Sequence, residues 1–230
     1  MHLSLRLCLL CAGVLLATSA RADITLGQIA PLSGEHAATG QEVAAGAKAY
    51  IDKVNAEGGV AGQKIAYVLK DNADQPARTQ ALAAALIQHD HVYGILPGAG
   101  SVQTRELVSS GLLRQHQVPL LALRNAAADE APLESSLEGI SRDTGLIEIA
   151  PPSDIYAPVV NEFRASLAKY GPPGASYSSA GLQGYIAAKV MVGAVRLLAP
   201  VPSHADYFAA LRNMIPDLSS RLIVSGSTPQ

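Results

Sequence analysis

A chain of 230 residues with 17 lysines and arginines against 19 aspartates and glutamates carries a formal charge of −2. No basic run disturbs that balance, which argues against nucleic acid or an anionic lipid surface as partner. Hydrophobic residues make up 49% of the chain but aromatics only 4%, the composition of an alanine-, leucine- and valine-rich α/β protein of one or two domains.

Residues 1–22 read as a cleaved secretory signal: a basic start at Arg6, an apolar run from Leu7 to Ala17, and Ala20-Arg21-Ala22 ahead of Asp23. The apolar run is shorter than the roughly 20 residues that span a bilayer. Both cysteines, Cys8 and Cys11, lie in this leader. Each follows a leucine, not the small residue that precedes a lipoprotein cysteine. The exported chain is therefore expected to carry no thiol, and with it no disulfide or cysteine-based metal site.

Ile24–Ala30, bounded by Pro31, is an apolar run that predicts a buried first strand. In the helix that follows, Val43, Ala47, Tyr50, Ile51 and Val54 fall on one face. Gly58-Gly59 end it, because glycine enters the left-handed region without a Cβ penalty. Ile65–Leu69 predicts a second strand. Pro76 opens a helix to Gln88 at a position where a missing N–H costs nothing. Tyr93–Leu96, Val102–Gln115 and Pro119–Leu123 continue as strand, helix and strand. Residues 124–144 hold no sustained period and read as a linker. A last strand, Gly145–Ala150, is followed by helices at Ile155–Lys169, Ser179–Leu198 and His204–Met214, then by a short apolar run at Leu222–Val224. Strands and helices in alternation with short connections predict an α/β, doubly wound parallel sheet flanked by helices.

Several motifs in this order resemble one family. They are Pro31-Leu32-Ser33-Gly34, then Asn55-Ala56-Glu57-Gly58-Gly59-Val60-Ala61-Gly62, then the turn Asp71-Asn72-Ala73-Asp74, and late in the chain Gly184-Tyr185-Ile186-Ala187-Ala188 after Tyr177-Ser178. Together they are similar to the periplasmic solute-binding proteins of the leucine/isoleucine/valine-binding type, the receptors of ABC importers. The resemblance implies one lobe of a type I periplasmic-binding fold, assembled from residues 23–123 and 145–230. In the family a second lobe, on the order of 100 residues or more, stands where this chain has only residues 124–144.

For function, the resemblance implies capture of a branched-chain or other small amino acid, or a related carboxylate, in the periplasm. The partner would be an ABC permease in the inner membrane. A different reading is a truncated, non-binding remnant that acts as a structural or interaction domain.

The loop 98–101 joins the third strand to the third helix, and the free N–H groups at a helix start suit a carboxylate. On spacing alone Ser101 reads as a helix N-cap. The resemblance implies that Gly100 and Ser101 meet the ligand carboxylate, and the two uses are compatible. By the same resemblance Arg124 and Ala126 occupy the ligand-binding turn after the fourth strand, where a small hydroxyl residue is common in place of Ala126. Thr39, in the loop after the first strand, stands where an aromatic often covers the ligand.

Other patterns are explained without chemistry. Gly98-x-Gly100 is no dinucleotide fingerprint, since Gln103 replaces the third glycine. His89-Asp90-His91 ends a helix with its two imidazoles pointing apart, which does not make a metal site. Ser166-Leu167-Ala168-Lys169 matches a β-lactamase string without its companion motifs and reads as a helix surface. Asp71 and Asp74 read as caps of their turn and of the helix after it. No enzyme activity, cofactor or metal is expected.

Overall fold

The computed structural model describes residues 24–123, 146–149, 156–198 and 202–211. The expected signal segment 1–22, the expected linker 124–144 with Arg124 and Ala126, and the expected run at 222–224 lie outside the described residues.

Five strands form one parallel sheet: β1 (Ile24–Ala30), β2 (Ile65–Asp71), β3 (Gly94–Leu96), β4 (Leu120–Leu123) and β5 (Leu146–Ile149), in the order β2-β1-β3-β4-β5. Ile24 pairs with Ile65, Leu26 with Gly94 and Leu120 with Leu146. Side chains alternate across the pleat, so the sheet feeds two cores. Ile24, Leu26, Leu96 and Leu121 pack with α1 (Ala37–Ala56), α5 (Tyr156–Tyr170), α6 (Ser179–Leu197) and the helical residues 204–211. Ile29, Ile95 and Leu120 face the other way, onto α2 (Pro76–Gln88), α3 (Ser101–Ser109) and α4 (Leu112–His116). The sheet is thus doubly wound.

The motifs have local structural reasons. The expected face of α1 is buried, with Val43, Ala47, Tyr50, Ile51 and Val54 at most 4% exposed. Past its end, Gly58 and Gly59 take φ of 103° and 79°. Asn55 closes the turn, accepting from the Ile65 N–H at 2.8 Å and donating to the Ile65 carbonyl at 2.9 Å. In the late motif Gly184 lets α6 touch the α1 backbone, Tyr185 is fully buried, and Ala187 and Ala188 pack into the core. Pro76 sits in the first turn of α2.

The single helix expected over Val102–Gln115 is broken into α3 and α4. Gly111 between them takes the left-handed φ of 73°. Ser110 Oγ donates to the Leu107 carbonyl at 2.6 Å and accepts from the Leu112 N–H at 3.3 Å. A serine side chain offering the backbone these alternative bonds, next to a glycine, ends a helix that hydrophobic period alone would continue. Among the described residues no helix is long and apolar enough to cross a membrane.

Candidate functional site

From β1 the chain turns to β2 on one side and then returns across β1 to β3 on the other. The loops after β1 and β3 therefore leave the sheet in opposite directions, and the crevice beyond the strand carboxyl ends at this reversal is where open α/β sheets take ligands. Two helix N-termini, those of α1 and α3, open here from neighbouring strands.

The β3–α3 loop is held hard against β1. A Cβ on Gly98 would lie 2.1 Å from the Ile29 carbonyl oxygen. Gln28, fully buried at the end of β1, donates to the Pro97 carbonyl and accepts from the Tyr67 hydroxyl of β2. This buried glutamine ties β2, β1 and the loop together. Burial pushes the Tyr67 phenol pKa well above its ordinary value.

The N-cap of α3 is Gly100, at φ 112° and ψ 131°, and no side chain caps the helix. Ser101 is its first helical residue, so the serine does not occupy the cap position that its sequence context suggested. The reason is conformational: the loop enters α3 through a positive φ that glycine tolerates and serine does not. Thr104 Oγ1 donates to the Gly100 carbonyl at 3.1 Å. Gly100 and Ser101 lie at the switch point of the sheet. Thr39 is exposed in the first turn of α1, not in the preceding loop.

The anchor of the loop before α1 was not legible in the sequence. Asp71, the last residue of β2, accepts from the Leu32 N–H at 2.9 Å, the Ser33 hydroxyl at 2.7 Å and the Ala73 N–H at 2.7 Å. The Ser33 hydroxyl first, then the backbone N–H groups, hold its carboxyl down at about 2. Asp74 Oδ2 accepts from the His36 N–H at 3.2 Å and meets His36 Nδ1 at 2.8 Å. That bond raises the His36 pKa and lowers that of Asp74. Asp71 does cap its own turn, as expected. Neither aspartate caps α2, whose N-cap is Gln75 without a side-chain bond. Both carboxylates reach instead to the β1–α1 loop. The turn is strained: Ala73 and Asp74 both take left-handed φ, 52° and 57°, at roughly 1–2 kcal/mol per non-glycine residue.

The other motifs resolve as structure. Ser166 is buried, with its hydroxyl 2.9 Å from that of Tyr185, so it does not lie on a helix surface. Asp90 pairs with Lys70 at 2.9 Å, and the His91 carbonyl lies 3.2 Å from His204 Nε2. Away from Ser101, a groove of about 590 Å³ lies between α1, the edge strand β2, α5 and the segment 172–176, whereas the cleft beside Gly100 holds only about 20 Å³. Among the described residues, the space beside the α3 N-terminus is shallow.

A family model described as periplasmic binding protein matches residues 23–139. The Leu/Ile/Val-binding protein BraC3 of Rhizobium johnstonii is 45% identical over 67 residues, 29% of this chain and 18% of that protein. Leu/Ile/Val-binding protein homolog 7 of Brucella abortus is 36% identical over 128 residues, 55% of this chain and 30% of that protein. The chain thus spans less than a third of the length of these relatives. Among solved structures, a substrate-binding periplasmic protein from Ralstonia solanacearum superposes with a TM-score of 0.66 at 19% identity, over 84% of this chain and 89% of the other. A possible leucine/isoleucine/valine-binding protein from Rhodopirellula baltica gives 0.64 at 13% identity, over 83% and 86%. At these identities the likeness concerns the fold.

Proposed function

The chain belongs to the periplasmic binding protein family, and we propose that it is a binding component of an ABC importer that captures a branched-chain or other small amino acid, or a related carboxylate, in the periplasm. The observation that carries this reading is the uncapped N-terminus of α3, entered through Gly100 at the sheet's switch point. Its first N–H groups and the helix dipole favour a carboxylate there. In this reading Gly100 allows the backbone to approach, Ser101 supplies a hydroxyl, and Thr39 borders the site from α1. Arg124 and Ala126 belong to the same site by resemblance. The chemistry is binding, with no bond made or broken, and it requires no cofactor.

Residues 23–123 and 145–230 form one lobe in this proposal, with 124–144 as the linker and 1–22 as the signal that exports the chain. Family clamps shut a second lobe over the ligand. A closed pocket buries roughly 70–90% of a small ligand. An open face offers about half of that, so binding is expected to be weak, about millimolar where a complete clamp would be micromolar, a difference of roughly 4 kcal/mol. The shallow cleft beside Gly100 also suits the second reading, a non-binding remnant that serves as an interaction domain.

Isothermal titration with a panel of amino acids, on the wild type and on Ser101→Ala, separates the two. Weak uptake of a branched-chain amino acid that Ser101→Ala abolishes supports capture. Uptake unchanged by Ser101→Ala removes Ser101 from the site, and no uptake from the panel favours the remnant.

A further inference from the structure

We infer that Asp71 and Asp74 are positioning residues for ligand capture: from the end of β2 they hold the loop 32–36 and thereby fix the N-terminus of α1 at the ligand face. The inference rests on the capture reading for its purpose, and on the geometry of the clamp for its substance.

The clamp acts on backbone. Leu32 is held at both of its backbone polar groups, its N–H by Asp71 and its carbonyl by the Gln41 side-chain amide at 2.9 Å. His36, the residue before α1, is held by its N–H and its imidazole on one oxygen of Asp74. Between them Ser33 is held by Asp71, and Gly34 lies so close that a Cβ would stand 2.7 Å from that of Asp74. No side chain caps α1 itself. Along its length α1 is placed by its packing on α6, and its first turn is held in addition by the grip on the loop before it.

The second observation is the left-handed backbone at Ala73 and Asp74. Two successive non-glycine residues in this region are disfavoured and persist only where the surroundings over-determine them. Here the surroundings are visible. Asp71 accepts from the Ala73 N–H, Asn72 Oδ1 accepts from the Asp74 N–H at 3.1 Å, and the Gln75 N–H returns to the Asn72 carbonyl at 3.0 Å. Asn72 is in turn buried and donates to Thr79 Oγ1 at 3.2 Å. This left-handed turn is thus held by local bonds on both sides. It delivers the Asp74 carboxylate sideways, to His36. A loop ordered before ligand arrives removes an ordering cost from binding. The bonds span 38 and 39 positions in sequence and exist because β1 and β2 are neighbours in register, Ala30 opposite Asp71.

The test uses the full chain with L-leucine as probe. Amide hydrogen exchange at Leu32 and His36 is measured without leucine, and leucine affinity by titration, for the wild type, Asp71→Ala, Asp71→Asn, Asp74→Ala and Asp74→Asn. Each alanine variant is expected to speed exchange at its own partner amide about tenfold, the loss of one hydrogen bond, and to weaken leucine by a similar factor. The asparagine variants keep an acceptor oxygen and are expected to recover much of both. Unchanged exchange in the alanine variants overturns the clamp. Faster exchange with leucine affinity intact overturns the capture role. If the wild type takes up no leucine, the capture reading and the capture role fall together, while the exchange rates still decide the clamp. An alanine variant that does not fold is replaced by a change on the exposed partner side, Ser33→Ala for Asp71 or His36→Ala for Asp74, read at the Leu32 and residue-36 amides and in leucine affinity in the same two ways.

Discussion

The carbonyl oxygen of Val43 in α1 stands 1.9 Å from where a Cβ on Gly184 in α6 would be. The two helices cross backbone to backbone, and a second glycine, Gly46, lies equally close to the Gly181 carbonyl, at 1.8 Å for its hypothetical Cβ. A methyl group at either place has no flexible side chain to displace. The helices must separate, and the core of Tyr185, Ala187 and Ala188 opens with them.

Gly184→Ala is therefore expected to destabilise by about 1–3 kcal/mol or more, the range for overpacking a tight core. Urea unfolding followed by far-UV circular dichroism checks it. A midpoint equal to that of the wild type would show that α1 and α6 do not meet in this way.

Glu162 in α5 holds two lysines, Lys53 of α1 at 2.8 Å and Lys189 of α6, and also accepts from the Tyr185 hydroxyl at 3.0 Å. Burial raises its pKa, but the bonds from Lys189 and Lys53 outweigh burial and lower it overall. A depressed carboxylate contributes stability above its unfolded value, near 4.3, and loses it as pH falls through the folded value. Glu162→Gln leaves Lys189, whose side chain is 9% exposed, without its counter-charge. The expected cost at pH 7 is about 1–3 kcal/mol, and the wild-type advantage should shrink below about pH 4. Melting curves of both proteins between pH 3 and 7 read the difference (a constant gap across that range would contradict the assignment).

His36 should titrate above 6.5 in the folded chain, raised by its bond to Asp74, by the Asp74 charge, and more weakly by Glu35. The part of the clamp that depends on its charge is then complete below about pH 6.5 and fades as pH rises through the folded value. The lowered pKa of Asp74 sets the acid limit, with the bond lost as pH falls through that value. Proton NMR of the imidazole gives the measurement. In Asp74→Ala the His36 value should drop toward 6.5, and a value that stays put would mean the bond does not form in solution.

Asn55→Ala removes both bonds to Ile65, freeing the start of β2 from the turn after α1. A loss of about 1–3 kcal/mol is expected, with Asn55→Asp intermediate because it keeps the acceptor for the Ile65 N–H. Equal stability of all three proteins in urea would show that the glycines alone make the turn.

Among the described residues, the sequence by itself determined the alternation of strands and helices and their order, except that the one helix expected over Val102–Gln115 is two. Apolar period placed the buried face of α1 on Val43, Ala47, Tyr50, Ile51 and Val54. Gly58-Gly59 and Pro76 marked helix ends because glycine and proline act on their own backbone. It also carried the motifs of the family. What only the tertiary structure decided are the partners of polar side chains. Asp71 and Asp74 looked like local caps, and their grip on Leu32 and His36 exists only because β1 and β2 lie side by side. Ser166 looked like a surface residue, and it is buried because α6 brings Tyr185 over it. Gly100 displaced Ser101 as the cap of α3 because the loop, pressed onto β1 at Gly98, enters the helix at a positive φ. Periodicity reports which face of an element is buried, whereas a hydrogen bond between residues far apart in sequence depends on where the strands and helices have been stacked.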